Sequence, residues 1–271
     1  MEKKIVVAFF VLIGSFTSNA QINLVDKALG AIQKGVAGFT FSDEDAAKLS
    51  KDAVAKMDKE NPIAGVKDPY TIRLNRLFAK HKTEGGLTLN YKVYKIKEVN
   101  AFATADGSVR VFAGLMDIMD DNELLAVIGH EVGHVINHDS RDAVKAAYKK
   151  EALLDAVGSQ SDKVAAVTDG QLGKIGSALL DSSHSRKQES EADLYSYEFM
   201  KRNKYNVNAV ESAFSILAKL SEGTDNSFIT RMMSSHPDPK DRAQSAKDRA
   251  IADGLYKPYV KVVKKTTVKK K

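Results

Sequence analysis

Two histidines four residues apart, with a glutamate after the first, His130-Glu131-Val132-Gly133-His134, have the types and spacing for metal chemistry. On a helix, positions i and i+4 share a face one turn apart, so both imidazole rings can converge on one point. Neutral imidazoles placed that way bind zinc. Glu131 then stands where a carboxylate can take a proton from a metal-bound water, the arrangement of a metal-assisted hydrolase.

The element that must carry these residues is legible as a helix. Leu124, Val127, Ile128, Val135 and Ile136 recur at spacings of three and four. Asp120 can cap its start, with Glu123 as capping-box partner. Gly129 stands just before the motif and Gly133 within it. Glycine costs about 1 kcal/mol in a helix interior, so the pair marks a place where another backbone packs close.

A catalytic zinc keeps three protein ligands and leaves a position for water. Six residues past His134 stands Ser140, which closes the metzincin arrangement of three histidines. His138 lies one further turn along, off the metal face, and reads as an exposed last-turn histidine suited to the negative helix end. Two acids remain, each with an aspartate four residues later: Glu151 with Asp155, and Glu189 with Asp193. In either pair the aspartate could accept the second N–H of a ligand histidine. Small Ala192 between the acids permits close helix approach and favours Glu189, while Glu191 faces away as a surface acid.

Around the motif the chain reads as α+β and predominantly helical, with a small β-sheet beside the histidine helix. Gln21 to Thr40 and Ser42 to about Glu60 have helical spacing, the second capped by Ser42 with Asp45. Tyr70 to His81 resumes it after Pro62 and Pro69. Leu87 to Ile96 alternates as a half-buried strand, and Val99 to Ala105 is a second. Asp106-Gly107 is a hairpin signal leading to a return strand over Ser108 to Ala113. An edge strand here could hold an extended peptide by main-chain hydrogen bonds, largely regardless of its sequence. Further helices follow over Arg141 to Val157, from Ser185, over Asn208 to Leu220, and to about Ala252. Gly158 to Gly176 is a candidate cover for the cleft.

The 271 residues, 43% hydrophobic, suffice for one core. Met1 to Ala20 has a charged start, an apolar stretch and small residues before a cut, which predicts a secretory signal peptide and an exported protein, periplasmic or secreted. There is no cysteine, hence no disulfide framework. The domain organisation is therefore a signal peptide over 1–20, one catalytic domain over 21–254 and a basic, flexible tail over 255–271. Taking the leader's +1 and the tail's +7 from the total of +6 leaves the body at −2, so the basicity is no nucleic-acid-binding face. The Lys-rich tail could make weak contact with anionic lipid or another envelope polymer.

Four segments together resemble one family, the soluble envelope members of the zinc metallopeptidases of CAAX-prenyl-protease and HtpX type (family M forty-eight). They are Asn100-Ala101-Phe102-Ala103, Glu123-Leu124 with the histidine motif, Ser185 to Asp193, and His236-Pro237 with Arg242. The resemblance spans about Ser42 to Arg242 and implies a zincin-like fold. It implies Glu189 as third zinc ligand, Asp193 as its support, Asn100 to Ala103 as the substrate strand, and unfolded or misassembled envelope proteins as substrates. Ser196 departs from the glycine often found there, and His184 from an aromatic.

The expected reaction is endopeptidase hydrolysis at one zinc per chain, held by His130, His134 and Glu189, with Glu131 as general base. His236 is the candidate donor to the tetrahedral oxyanion, or a fourth ligand that holds the enzyme closed; Arg242 would hold its loop. His81 and His184 read as surface or packing residues. Two rivals stand beside this reading: a holdase-like envelope assembly factor whose zinc only ties helices together, and a zinc aminopeptidase. Glu131 and the absence of cysteine speak against the first.

Overall fold

The computed structural model describes residues 41–154, 167–223 and 228–261. The leader, the helix expected over Gln21 to Thr40, Asp155 and the last ten residues lie outside them. Helix α1 (Asp43–Glu60) starts on the capping box of Ser42 and Asp45. Helix α2 (Pro69–Phe78) starts on Asp68, with proline in its first turn, where a missing N–H costs nothing.

The run from Leu87 is not one strand. It divides into β2 (Leu87–Thr88), which pairs with β1 (Thr83–Glu84), and β3 (Asn90–Tyr94). Gly85 and Gly86, at φ 54° and 83°, make the first hairpin, and Leu89 turns inward between the two pieces. The main sheet has the order β3-β5-β4, with β4 (Ala101–Ala103) antiparallel and β3 parallel to the central β5 (Ser108–Phe112). The Asp106-Gly107 turn joins β4 to β5 as expected. Gly107 sits at φ 83°, and a Cβ there would lie 2.1 Å from the Thr88 carbonyl oxygen.

A short α3 (Ala113–Ile118) hands the chain to α4 (Asp121–Ile136), which is buried along nearly its whole length. Behind it come α5 (Asp139–Leu154), α6 (Asp169–Asp181), α7 (Arg186–Arg202), α8 (Asn208–Ser221), α9 (Thr230–Ser235) and α10 (Pro239–Ala252). Helix α4 lies between β4 on one side and α7 and α8 on the other. The two glycines account for the fit. A Cβ at Gly133 would sit 3.1 Å from Ala192 Cα and 3.0 Å from Tyr195 Cβ, and one at Gly129 would sit 3.1 Å from Phe199 Cδ1. Ser196, in place of the glycine expected from the resemblance, is fully buried and donates to the Ala126 carbonyl across the same contact at 2.7 Å.

Helix α1 is clamped to the sheet by charge. Arg110, 2% exposed on the central strand, donates through Nε and Nη2 to both Asp58 oxygens, and Lys92 and Tyr94 bond the same carboxylate. Residues 255–261, expected to begin a solvated tail, instead run along the fold. Tyr259 donates to Asp120, the cap of α4, and Lys261 reaches Glu123 Oε2 at 3.1 Å. Lysine-rich composition hid these contacts, because tyrosine at 256 and 259 supplies apolar area that packs on the core. No helix among the described residues is long and apolar enough to cross a membrane.

Candidate metal centre

Helix α4 starts on the expected capping box: Asp120 accepts from the N–H groups of Asn122 and Glu123, and Glu123 accepts from that of Asp120. Two turns on, His130 and His134 are each 2% exposed, with their Nε2 atoms 3.0 Å apart. Their other nitrogens are held by carboxylates. His130 Nδ1 lies 2.9 Å from Asp193 Oδ1, and His134 Nδ1 lies 2.8 Å from Asp139 Oδ2. With an Nδ1–H donated to each carboxylate, neutral rings turn both Nε2 lone pairs to one point. Without a metal, burial of His134 is outweighed by hydrogen bonds to Asp139 and Glu189, which raise it to about 9, so that a proton stands where a cation would.

Helix α7 brings Glu189 to the same point. Its Oε2 lies 3.5 Å from His130 Nε2 and its Oε1 lies 3.4 Å from His134 Nε2. His236, in the loop between α9 and α10, points Nδ1 inward at 3.0 Å from Glu189 Oε1 and 3.3 Å from His130 Nε2. Facing lone pairs repel unless a cation lies among them. Zinc bonds of roughly 2.0–2.1 Å would set tetrahedral neighbours about 3.3 Å apart, close to the spacings found here. Two imidazoles and a carboxylate, with a third imidazole at hand, therefore fit a zinc ion.

Arg242, on α10, ties the two acids together. Its Nη1 is 2.6 Å from Glu189 Oε2, while Nε and Nη2 grip Asp193 at 2.9 and 2.7 Å. This fork holds both carboxylates ionised. Burial alone would raise Glu189, yet hydrogen bonds to His134 and His236 hold it well below the usual range. Burial likewise opposes the ionised form of Asp193, but Arg242 and His130 bring it down to about 2. Burial pushes His130 down to about 3, with Arg242 and His134 adding to it, so its ring stays neutral. Burial also raises the Glu131 carboxyl, as a proton acceptor in a dry site requires. Glu131 Oε1 has no hydrogen-bond partner among the described residues, and His236 Nε2 lies 3.7 Å away.

A narrow cleft opens on this cluster. Asn100 to Ala103 form one wall, Glu131 and His134 the floor, and Leu179, Leu180, Ser182 and His184 the opposite wall. Of the cover expected over Gly158 to Gly176, residues 158–166 lie outside the described chain and none of the described ones lines the cleft. Gly176 faces Met57, and the cleft is reached instead by Leu179 and Leu180 in the last turn of α6. Bonds from Phe112 N to Asn100 O and from Thr104 N to Ser108 O turn the residues on either side of β4 toward β5. The alternation of a strand then directs the main chain of Ala101 and Ala103 toward the cleft.

The sequence candidates sort clearly by position. His130, His134, Glu189 and His236 converge, Asp193 and Arg242 brace them, and Asn100 to Ala103 flank them. Glu151 does not take part: it bonds Lys174 through α6. Glu191 is on the surface with Lys187. His138 is not a last-turn residue. It is exposed as expected, but follows the C-cap Asn137 in the left-handed region, at φ 65°, directly before α5 begins. His81 packs within the core and bonds Tyr205 at 2.8 Å. His184 takes the aromatic's place, stacked on the His134 ring at 3.8 Å and 15°. Sequence reasoning missed Asp139 and its partner Gln188, which donates to Asp139 Oδ1 at 2.8 Å. Helical spacing could not place Asp139, because it lies beyond the end of the helix; an acid five residues after His134 was the available signal.

Comparison with known proteins identifies the family. Residues 73–250 match Peptidase family M48. The chain is 38% identical over 230 residues to metalloprotease LoiP of Escherichia coli, covering 83% of this chain and 90% of that protein. It is also 38% identical over 228 residues to metalloprotease YcaL of the same organism, covering 83% and 88%. A putative beta-barrel assembly-enhancing protease of Vibrio cholerae is 26% identical over 230 residues, 79% of this chain but 46% of that longer protein. The matched span contains every residue of the buried cluster, and with it the chain belongs to peptidase family M48: it is a metalloprotease, a hydrolase acting on peptide bonds.

Proposed function

We propose that the protein is a zinc endopeptidase for unfolded or misassembled proteins of the cell envelope, with one zinc held by His130, His134 and Glu189. The observation that carries this reading is the convergence of two carboxylate-braced imidazoles and Glu189 beside the unpartnered Glu131 oxygen. Zinc, when bound, supplies Lewis acidity, which lowers the pKa of water and polarises a peptide carbonyl. Glu131 takes the proton from the attacking water and returns it to the leaving amine. Asp193 and Arg242 keep His130 and Glu189 in place. The outer edge of β4 receives the substrate as an added strand, which reads backbone rather than side chains and so suits unfolded chains. The leader read from the sequence and the name of the Vibrio relative support an envelope location.

His236 supports a closed resting state. Its Nδ1 stands among the ligand atoms, where a substrate carbonyl would have to enter. It must withdraw to admit a peptide, and from a withdrawn position its ring can donate to the oxyanion. The test is digestion of casein by purified protein with and without zinc, beside Glu131→Gln. Zinc-dependent cuts at internal bonds, lost in the variant, are expected. Digestion undiminished in Glu131→Gln would overturn the mechanism, and release of terminal residues alone would make the protein an aminopeptidase.

A further inference from the structure

The first turn of α5 holds three parts of the site with two consecutive side chains. Asp139 and Ser140 are both 6% exposed. Asp139 uses one oxygen on His134 Nδ1 and the other on Gln188, the residue before Glu189, each at 2.8 Å. Ser140 donates from Oγ to the carbonyl of Ala103 at 3.1 Å, on the cleft edge of β4. His138, at φ 65°, occupies the left-handed region that L-residues seldom enter. Such strain persists where its surroundings enforce it. Here it starts α5 directly beneath His134, so that the Asp139 carboxylate points back at the ring.

We propose that Asp139 and Ser140 are positioning residues that set the metal and the substrate edge from one rigid turn. Asp139 does for His134 what Asp193 does for His130: it fixes the tautomer and stops the ring from rotating. Because its second oxygen is anchored to α7, it also fixes the second histidine relative to Glu189. Ser140 ties β4 to the same turn, so the edge that receives a peptide keeps its height above the metal. The proposal rests on the assignment of His130, His134 and Glu189 as zinc ligands.

The two halves are separable by experiment. Zinc-loaded wild type, Asp139→Asn, Gln188→Ala and Ser140→Ala would be mixed with a chromophoric chelator to time zinc release, and kcat and KM measured on casein. Asp139→Asn is expected to release zinc 10–100-fold faster, the usual cost of losing a carboxylate behind a ligand histidine. Gln188→Ala, which leaves His134 and Asp139 untouched, should release it severalfold faster and covers the case in which Asp139→Asn does not fold. Ser140→Ala should raise KM severalfold with zinc release unchanged. Wild-type release rates in both Asp139→Asn and Gln188→Ala would overturn the metal half, and an unchanged KM in Ser140→Ala the substrate half. Wild-type protein that takes up no zinc would instead sink the ligand assignment itself.

Discussion

Adding one methyl group at Gly133 tests whether the approach of α4 and α7 sets the metal site. Its Cβ would meet Ala192 Cα and the Ala192 carbonyl oxygen at 3.1 Å, both backbone atoms, and Tyr195 Cβ at 3.0 Å. Ordinary contact begins some 0.3–0.5 Å further out, and a backbone cannot rotate away as a side chain can. The helices must therefore part by about that amount, and Ala192 lies between Glu189 and Asp193 on the helix that moves. Catalytic groups tolerate displacements of about 0.5 Å. Gly133→Ala gains about 1 kcal/mol of helix propensity and loses about 1–3 kcal/mol to overpacking. A net loss of up to about 2 kcal/mol follows, and because the shift reaches the edge of that tolerance, zinc affinity and kcat/KM should fall severalfold, up to about tenfold. Gly129→Ala is the control, because its nearest obstacle is the Phe199 ring at 3.1 Å, which can turn. It should be within about 1 kcal/mol of wild type and keep its zinc. Thermal unfolding of the metal-free proteins and zinc titration with a competing indicator supply both numbers. A Gly133→Ala protein with raised Tm and wild-type zinc affinity would refute the reasoning.

Glu131→Gln should lower kcat by about 10²–10⁴-fold while leaving zinc content unchanged, since Glu131 bonds none of the ligand residues; loss of zinc in that variant would place Glu131 among the ligands. Asp58→Ala leaves Arg110 buried and unpaired and should cost about 3–5 kcal/mol in denaturant unfolding. The same pair gives a pH effect of known sign. Burial raises the Asp58 carboxyl, but hydrogen bonds from Arg110, Lys92 and Tyr94 outweigh it and leave it below its ordinary value. Its contribution is thus complete above the unfolded value of about 4 and disappears as pH falls through the lower folded value; Asp58→Asn should flatten the acid limb of the stability curve. His138→Val should lose about 1–2 kcal/mol more than His138→Gly, because only the β-branched residue resists the left-handed turn. Equal Tm values for the two would mean that the turn relaxes.

What was legible in the sequence was what is local or sterically self-evident. The caps at Ser42 and Asp120 depend on residues three apart, and both form as read. The histidine pair depends on one turn of helix. Gly129 and Gly133 announced a close neighbour without naming it, because the partners on α7 are brought there only by folding. The split at Leu89 was hidden because alternation continues across it, while main-chain pairing changes from β1 to β5. The first residues of the basic tail were hidden by their lysines, although Tyr259 and Lys261 bond the helix that carries the histidines.

Asp139 shows where such reading stops. A residue five positions beyond His134 lies outside helical geometry, and a left-handed histidine gives no warning of a reversal, since glycine or asparagine is what usually marks one. Yet the chemistry implied that something must stand there. A ligand imidazole needs its second nitrogen occupied, and Asp193, already on His130, cannot serve both rings. The unassigned N–H of His134 was therefore a deficit that the sequence itself posed, and the first acid after it in the chain, Asp139, is the one that fills it. Accounting for every ring nitrogen of a ligand set locates supporting residues that spacing rules miss, because the requirement belongs to the imidazole and not to the helix.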